Sequence, residues 1–370
     1  MAEFDRVTSY LTGRQSAHLT LMRRKSKRDP ETGELPPMPT VSVVSWVVRE
    51  VICEPYSVKA VVAAPIAIPR KTVLGQLAKF SVRPEDGRAK REFAGFVTQF
   101  DSVSESRDGY TYRIVMRQHL AVMDGPSNCA TYQGMASWEI IKEILARYDL
   151  RFWIQVEFNL RREHPRHPFR FQYNMGDWDY IKLEMEQAGL YCYTRTGEHG
   201  DVLVIADDVD GYMRPAIPVL DRPTAGLATF EESIFSFKVR SRVVPESYVV
   251  ADYNPEQAWE RFRAEDRAVS DDESMIGKPY VWGTHHDDAK GAKRDAQLRH
   301  EAARASQIRY AVESTVLAIR PGSIVQSDRA HRGCRRGNVR DSGRASRRAE
   351  RELCEQLHGD SGRSPVPAGN

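Results

Sequence analysis

Long apolar runs and paired cysteines are both missing from this 370-residue chain. The first 25 residues, MAEFDRVTSYLTGRQSAHLTLMRRK, contain no sustained apolar stretch, so they predict neither a signal peptide nor a membrane helix. We therefore expect the chain to start in the cytoplasm. The five cysteines lack paired spacing, which predicts reduced core thiols rather than a disulfide framework or a zinc site. They are Cys53, Cys129, Cys192, Cys334 and Cys354.

The sequence motifs of common enzymes are also missing. The chain has no G-x-S-x-G elbow, no Walker loop and no G-x-G-x-x-G after a strand. We therefore predict no catalytic residue, no cofactor-binding residue, no cofactor and no enzymatic activity. A motif search cannot find acidic residues that come together only in the folded chain, so acid–base chemistry by paired carboxylates stays an open alternative.

Three clusters of histidine or aspartate resemble parts of metal sites, and none of them predicts one. His164 and His167 lie in a proline-flanked loop without a second ligand pair. His285 and His286 precede a helix without the H-E-x-x-H register, so we expect them in a loop. The acidic residues before Gly211 lack the bidentate Glu of a calcium loop, and we interpret them as a solvated turn. They are Asp207, Asp208 and Asp210.

The apolar fraction of 41% is that of an ordinary globular protein, and the length allows more than one core. Residues 41–118 alternate apolar and polar side chains, and turn signals at residues 84–87 and 108–109 separate the segments. Several short strands at this spacing favour a small barrel or sandwich. The predicted strands cover residues 45–48 (with Val41 and Val43 before them), 56–64, 78–83, 93–100 and 110–117.

The next part of the chain alternates helices with strands and predicts an α+β domain. A helix over residues 137–148 has one apolar face and Ser137 as its N-cap, and a second helix is capped by Asp177 and ended by Gly189. Phe169, Phe171 and Tyr173 alternate with polar residues, as in a half-buried strand. We expect the first helix to pack on one sheet made of residues 151–159, 169–173 and a hairpin over 190–206.

A third block is again rich in strands, predicted at residues 233–239, 247–253 and 308–319. A helix over residues 287–306 interrupts it. Small residues lie near one face of this helix and allow a partner to approach closely; they are Ala289, Ala292, Ala296 and Ala303. We favour a helix laid over a barrel of the same chain, and contact between the subunits of a trimer is the alternative.

Residues 169–207 form a strand, helix and hairpin unit with the sequence FRFQYNMGDWDYIKLEMEQAGLYCYTRTGEHGDVLVIAD. This order resembles a segment of the VgrG proteins, which form the spike tip of the type VI secretion system, and of the hub of contractile phage tails. One departure is the missing acidic residue after Gln172 and Tyr173. Further segments resemble the family in the same order over about residues 41–325; they are 92–97, 110–114, 138–141, 280–283, 300–302 and 317–322.

The resemblance implies a mainly β, α+β fold in which two small β-barrels flank an α+β domain, as in phage baseplate hubs. The implied division is an N-terminal segment with a charged, proline-rich loop (1–40), a first barrel (41–128), the α+β domain (129–227), a second, incomplete barrel with an inserted helix (228–325) and an atypical tail (326–370).

The resemblance also implies a mechanical role in a homotrimer. Three chains with two barrels each present a pseudo-six-fold face, on which a hexameric tube ring of the Hcp type can stack, together with baseplate components. Sheath contraction would supply the energy and deliver or secrete the protein. Neither a nucleic-acid partner nor membrane anchoring is expected. The alternative is a hub of a contractile phage or tailocin baseplate, whereas an effector enzyme would need an appended domain.

Both ends of the chain differ in composition from the middle. Residues 23–39 are charged and then rich in proline, and we expect an exposed loop there rather than a nucleic-acid-binding arm. From residue 326 onward ten Arg face six acidic residues, without Lys, Phe, Tyr or Trp, which predicts a disordered tail. This switch is typical of a shifted reading frame, so we expect a truncated remnant that lacks the needle and assembles poorly.

Overall fold

The computed structural model describes residues 15–24, 38–84, 90–107, 109–125, 127–148, 150, 153–198, 200–221, 232–253, 262–267, 274–283 and 288–328. Within these ranges the chain is mainly β, which confirms the predicted fold class. The predictions for the loop at 25–37, for His285 and His286 and for the tail beyond Asp328 lie outside the described residues. No helix in the described part of the chain is long and apolar enough to cross a bilayer.

The strands are β1 (Gln15–Met22), β2 (Ser42–Arg49), β3 (Ser57–Ala64), β4 (Leu77–Pro84), β5 (Arg91–Ser106), β6 (Gly109–Gln118), β7 (Asn128–Ala136), β8 (Ile154–Asn159), β9 (Arg166–Met175), β10 (Tyr191–Thr196), β11 (Asp201–Ala206), β12 (Met213–Asp221), β13 (Ser233–Ser241), β14 (Ser247–Asp252), β15 (Phe262–Arg267), β16 (Tyr280–Trp282), β17 (Ile308–Ser314) and β18 (Ser323–Ser327). The α-helices are α1 (Arg70–Val73), α2 (Ser137–Ala146), α3 (Asp177–Ala188) and α4 (Ala289–Ala305).

The first block is a six-stranded sheet with the order β1-β4-β5-β6-β3-β2, and every neighbouring pair is antiparallel. Two register shifts in β5 help the sheet to curl around a core that includes Phe80 and Ile114. The edge strands β1 and β2 approach each other without pairing, which leaves a curled, partly closed barrel. Strand β1 was not predicted, although Leu19 and Leu21 fill this core.

The middle block contains a three-stranded sheet with the order β10-β11-β8, in which β11 runs parallel to β8 and antiparallel to β10. Helices α2 and α3 pack against each other and on this sheet, and they share one core. The prediction that residues 169–173 join the sheet is wrong. They lie in β9, which pairs with β7 in a separate two-stranded ribbon.

Both predicted helix caps are wrong by one residue, whereas the predicted helix end is right. Ser137 and Asp177 are the first residues of α2 and α3, and neither caps its helix. Instead, the Glu139 carboxylate accepts a hydrogen bond of 2.9 Å from the backbone N–H of Ala136. Gly189 ends α3 with a φ of +69°, a conformation that glycine adopts without steric cost.

The third block contains two sheets, with the orders β17-β13-β12-β18 and β15-β14-β16. Helix α4 lies on the smaller sheet, because Ala292 and Ala296 are fully buried against a core that includes Val250. The helix therefore packs on its own chain, although Ala289 is exposed and Ala303 only half-buried, and the barrel expected beneath it stays a prediction. The five-part division of the chain stays a prediction.

Candidate assembly surface

A row of exposed aromatic side chains follows strand β9 of the two-stranded ribbon. Phe169, Phe171 and Tyr173 are 55%, 48% and 72% exposed. Their ring centroids are 6.3 Å and 5.6 Å apart, so each ring contacts the next along the strand. We call these three residues the aromatic stripe. The predicted half-buried strand is present, and its aromatic face is the one that is exposed.

The opposite face of β9 is polar, and it packs inward. The buried Gln172 amide donates hydrogen bonds of 2.7 Å to Asp177 Oδ1 and 2.8 Å to the carbonyl of Met175, and its oxygen accepts one of 3.2 Å from Tyr132. Asp177 Oδ2 in turn accepts a hydrogen bond of 2.8 Å from Tyr148. Because every one of these buried polar groups has a partner, the polar face can pack against α3 while the aromatic face points to solvent.

Three adjacent exposed aromatic rings form an unusual surface on a folded chain. Aromatic side chains contribute about 150–250 Å² each when buried, so the half-exposed stripe offers roughly 300 Å² of further apolar area. A standard protein interface buries about 800 Å² per partner. The stripe is thus large enough to be the apolar centre of an interface, and too small to be all of it.

A second exposed aromatic surface lies in the third block. Tyr280 and Trp282 are mostly exposed on β16, the three-residue edge strand beside β14. Tyr253, just after β14, is also exposed. An edge strand offers unpaired N–H and C=O groups in addition to its side chains. We call Tyr253, Tyr280 and Trp282 the edge aromatics.

A buried polar network joins the barrel to the middle block. The Tyr56 hydroxyl lies 2.7 Å from both the Ala94 carbonyl and Asp201 Oδ2, and it accepts a hydrogen bond of 2.9 Å from the backbone N–H of Ala94. Gln118 donates a further bond of 2.8 Å to Asp201 Oδ2. Burial raises the pKa of Asp201, and burial together with the Asp201 charge raises that of Tyr56 well above its ordinary value. The Tyr56 hydroxyl has one proton, so it donates either to the Ala94 carbonyl or to Asp201 at any moment.

Arginine side chains connect the third block to the same junction. Arg91 binds both carboxylate oxygens of Glu50 at 2.6 Å and donates a bond of 3.2 Å to the carbonyl of Ile319. Arg320 donates a bond of 3.2 Å to Thr196, and its burial lowers the pKa of its guanidinium. Groups from all three blocks therefore meet at one place, which favours a single rigid unit.

Asp207 is buried, so the prediction of a solvated turn is wrong for this residue. Its carboxylate accepts hydrogen bonds from the backbone N–H groups of Arg161 and Arg162 and from His164 Nε2, all within 2.8 to 3.1 Å. Burial opposes ionisation, but these bonds outweigh it and lower the pKa of Asp207. Arg294 of α4 donates to His164 Nδ1 at 3.1 Å, which fixes the ring tautomer with the proton on Nε2. The cluster fastens the third block to the middle one.

The other predicted residues are placed as follows. Asp208 accepts a hydrogen bond of 3.0 Å from the backbone N–H of Asp210, and His167 lies 3.4 Å from the Ser137 hydroxyl. In the part of the chain that the structure describes, no three His, Cys, Asp or Glu side chains are arranged to hold a metal ion. Cys129 is exposed, so the prediction of a core thiol is wrong there.

Sequence reasoning missed the residues that build the junction. Asp201 had a usable signal, since a carboxylate at the head of the all-apolar run Val202 to Ala206 must find buried partners. Tyr56 and Gln118 carried no such signal, because their partners are distant in the sequence. The alternation of apolar and polar residues also could not predict the orientation of the aromatic stripe. Alternation shows that the two faces of a strand differ, but not which face is covered.

Comparison with known sequences links the chain to tail and spike proteins. The family described as phage tail baseplate hub (GPD) matches residues 49–338. The type VI secretion system spike protein VgrG1a of Pseudomonas aeruginosa is 22% identical over 261 residues, which are 70% of this chain and 40% of that protein. VgrG1b of the same organism is 26% identical over 148 residues, 40% of this chain and 19% of the relative. The chain thus spans less than half the length of these relatives.

Solved structures show the same fold at low sequence identity. An E. coli component of the type VI secretion system, itself similar to the T4 bacteriophage tail proteins gp27 and gp5, has a TM-score of 0.57 at 18% identity and covers 84% of this chain and 67% of its own. A tail protein from Neisseria meningitidis has a TM-score of 0.54 at 11% identity, over 85% of this chain and 87% of its own. The family match covers more than three quarters of the sequence, and the chain therefore belongs to the phage tail baseplate hub (GPD) family.

Proposed function

We propose that this chain is a structural subunit of the spike tip of a type VI secretion system, a VgrG-like hub that forms a homotrimer and caps an Hcp-type hexameric tube. Membership of the baseplate hub family is the observation that carries the proposal. The curated relatives it matches are spike proteins of this system, which supports the choice among hub-containing machines.

The two aromatic surfaces support assembly with further copies of the chain. A cyclic trimer joins its subunits head to tail, so each subunit needs two different surfaces that fit each other. The aromatic stripe and the edge aromatics lie in different blocks of one chain and are both mostly exposed. In this trimer the stripe packs against a neighbouring copy of the chain.

The role is mechanical and not enzymatic. A hub has to transmit force without losing its shape, and the buried junction around Asp201 and Arg91 joins the three blocks for that purpose. The matched relatives are tail and spike proteins, which supports this role. Contraction of a sheath would deliver the protein from the cytoplasm to its target, and neither nucleic acid nor a membrane anchor takes part.

The stripe is tested with Phe171→Asp in the full chain. This change places a charge at the centre of the proposed interface and is expected to convert trimers into monomers in native mass spectrometry. Ile66→Asp is the matched control, because Ile66 is 74% exposed outside the stripe, and it should leave the trimer intact. Equal behaviour of the two variants would remove the stripe from the interface.

The tube contact is tested by mixing the full chain with a purified Hcp-type hexamer and following cosedimentation. We expect one trimer per hexameric ring, and no binding by Phe171→Asp because the six-fold face requires the trimer. Binding of a single chain to the ring would contradict the stacking of a trimer on a hexamer.

A contractile phage or tailocin baseplate hub is the second candidate function. The observation that favours it is coverage, because the Neisseria meningitidis tail protein is matched over 87% of its length and a 43 kDa prophage tail protein from Shewanella oneidensis over 88%, at a TM-score of 0.53. Selective binding to a phage tail tube protein, with no binding to an Hcp-type ring, would decide for this alternative.

A further inference from the structure

Two cysteines that are 139 positions apart in the sequence meet where the barrel contacts the middle block. Cys53 lies in the turn between β2 and β3, and Cys192 lies in β10, at the edge of the middle sheet. The backbone N–H of Cys53 donates a hydrogen bond of 2.9 Å to the carbonyl of Cys192. The backbone N–H of Cys192 points back at Cys53, 3.2 Å from Sγ.

These two contacts make the cysteines direct neighbours across the joint. Disulfides form over Cα separations of about 4.4–6.8 Å, a range that direct backbone contact is compatible with. The Cys53 sulfur lies beside the backbone N–H of Cys192, so the two side chains are close neighbours.

The surroundings hold Cys53 in a conformation that cysteine rarely adopts. Its φ is +59°, and in the described part of the chain Asn174 is the only other non-glycine residue with a positive φ. A side chain in this region costs about 1–2 kcal/mol and persists only where neighbouring contacts fix it. Those contacts exist here, because Ile52 packs against the core around Tyr193 while Cys53 packs against the core that contains Cys192.

The two thiols differ in reactivity. The hydrogen bond from Cys192 lowers the pKa of Cys53, against the opposing effect of burial. The same hydrogen bond and full burial raise the pKa of Cys192 well above its ordinary value. Cys53 is also the more exposed of the two. Because the thiolate is the nucleophile, Cys53 is the residue that meets an external oxidant and Cys192 the one that resolves the product.

We propose that Cys53 and Cys192 are a redox modification site, at which a small-molecule disulfide such as oxidised glutathione closes an intramolecular disulfide between the barrel and the middle block. The Cys53 thiolate attacks one sulfur of the oxidant, forms a mixed disulfide and releases one thiolate. Cys192 then loses its proton to solvent, attacks Cys53 Sγ and releases the second thiolate. Two protein thiols are oxidised by two electrons, and one disulfide is reduced to two thiols.

The consequence is a covalent bond across a joint that hydrogen bonds and apolar contacts otherwise hold. It closes a long loop of chain, which restricts the unfolded state and stabilises the folded one. The inference concerns thiol chemistry and does not depend on the proposed function. A chain that moves from a reducing to an oxidising compartment would pass from the open to the closed form.

The test uses the reduced full chain with its natural sequence. After incubation with oxidised glutathione, free thiols are alkylated under denaturing conditions and the chain is digested with trypsin without reduction. We expect alkylation to be lost at Cys53 and Cys192, and a linked pair of peptides, residues 50–59 with 183–195, that is lighter than its two reduced halves by two hydrogen atoms. Cys129→Ser is the matched control and should form the same link, because Cys129 lies elsewhere on the surface.

Three outcomes would overturn the proposal. They are alkylation of both cysteines after oxidation, glutathione that stays on Cys53 while Cys192 remains alkylated, and a link from either residue to another cysteine. Cys192→Ser should instead accumulate glutathione on Cys53, since the resolving thiol is missing. Oxidation should raise Tm by roughly 5 °C in the natural sequence and in Cys129→Ser, and leave Tm unchanged in Cys192→Ser.

Discussion

Removal of a single hydroxyl group at Tyr56 is expected to loosen the junction between the barrel and the middle block. Tyr56→Phe keeps the ring, which packs edge-on against Phe93 at 5.3 Å, and deletes only the oxygen. That oxygen contacts the carbonyl and the N–H of Ala94 and the carboxyl of Asp201, all within 2.9 Å. The substitution therefore leaves buried polar groups without a partner and creates almost no cavity.

The magnitude follows from the groups that lose their partner. Each unsatisfied buried donor or acceptor costs about 1–3 kcal/mol, so the loss in the free energy of unfolding should be about 3 kcal/mol. This corresponds to an unfolding equilibrium constant that is roughly 100-fold larger. Urea unfolding, followed by tryptophan fluorescence, measures the change.

Ser104→Ala is the control for this substitution. Ser104 is exposed on β5, outside both aromatic surfaces, so its hydroxyl is served by water and its loss should change the free energy of unfolding by less than about 0.5 kcal/mol. Equal stability of Tyr56→Phe and the natural sequence would refute the reasoning, because the network would then contribute nothing.

Three further substitutions test other parts of the structure. Burial raises the pKa of Asp201, so the folded chain binds this proton more tightly than the unfolded chain. The stability that the bound proton contributes is present at low pH and is lost as pH rises through the folded pKa. Over that pH range Asp201→Asn should become more stable relative to the natural sequence, as measured by urea unfolding. The pKa of Asp207 is lowered, so its ionised carboxylate contributes stability at neutral pH, and this stability is lost as pH falls through the folded pKa. Asp207→Asn should therefore lower the free energy of unfolding by about 2 kcal/mol at pH 7 and by less in acid. A loss of stability that does not vary with pH contradicts the assignment. Gly189→Ala should lower the free energy of unfolding by about 2 kcal/mol, since the new Cβ would lie 2.4 Å from the Leu298 side chain and the residue has a φ of +69°. Gly134 has a φ of +62° but open space around it, so Gly134→Ala should lower the free energy of unfolding only by the backbone strain, about 1 kcal/mol. Equal losses for the two variants would exclude the contact with Leu298.

Local patterns in the sequence were sufficient for most of the elements. The predicted strand at 56–64 and the helix that ends at Gly189 depend on alternation, helical spacing and one glycine, and both are present in the structure. Strand β1 was missed although it alternates, because its neighbour β4 lies far along the chain and no turn signal joins the two.

Properties that depend on distant residues were not predictable from local patterns. Alternation along β9 could not show which face is covered, because Gln172 takes the inward position only through the partners that Asp177 and Tyr132 supply. The same holds for Asp207, since its three donors belong to a loop 43 or more positions earlier in the sequence. The spacing of the cysteines gave no sign that Cys53 and Cys192 meet.

The molar mass of the full chain in solution, measured by light scattering over a range of concentrations, tests the central claim most directly. A hub subunit that buries its aromatic stripe against a neighbouring copy should approach three times the chain mass of 42.1 kDa as the concentration rises, and the weak assembly expected of this chain should make the trimer dissociate on dilution. A monomer at every concentration, with the stripe remaining exposed, would contradict the account.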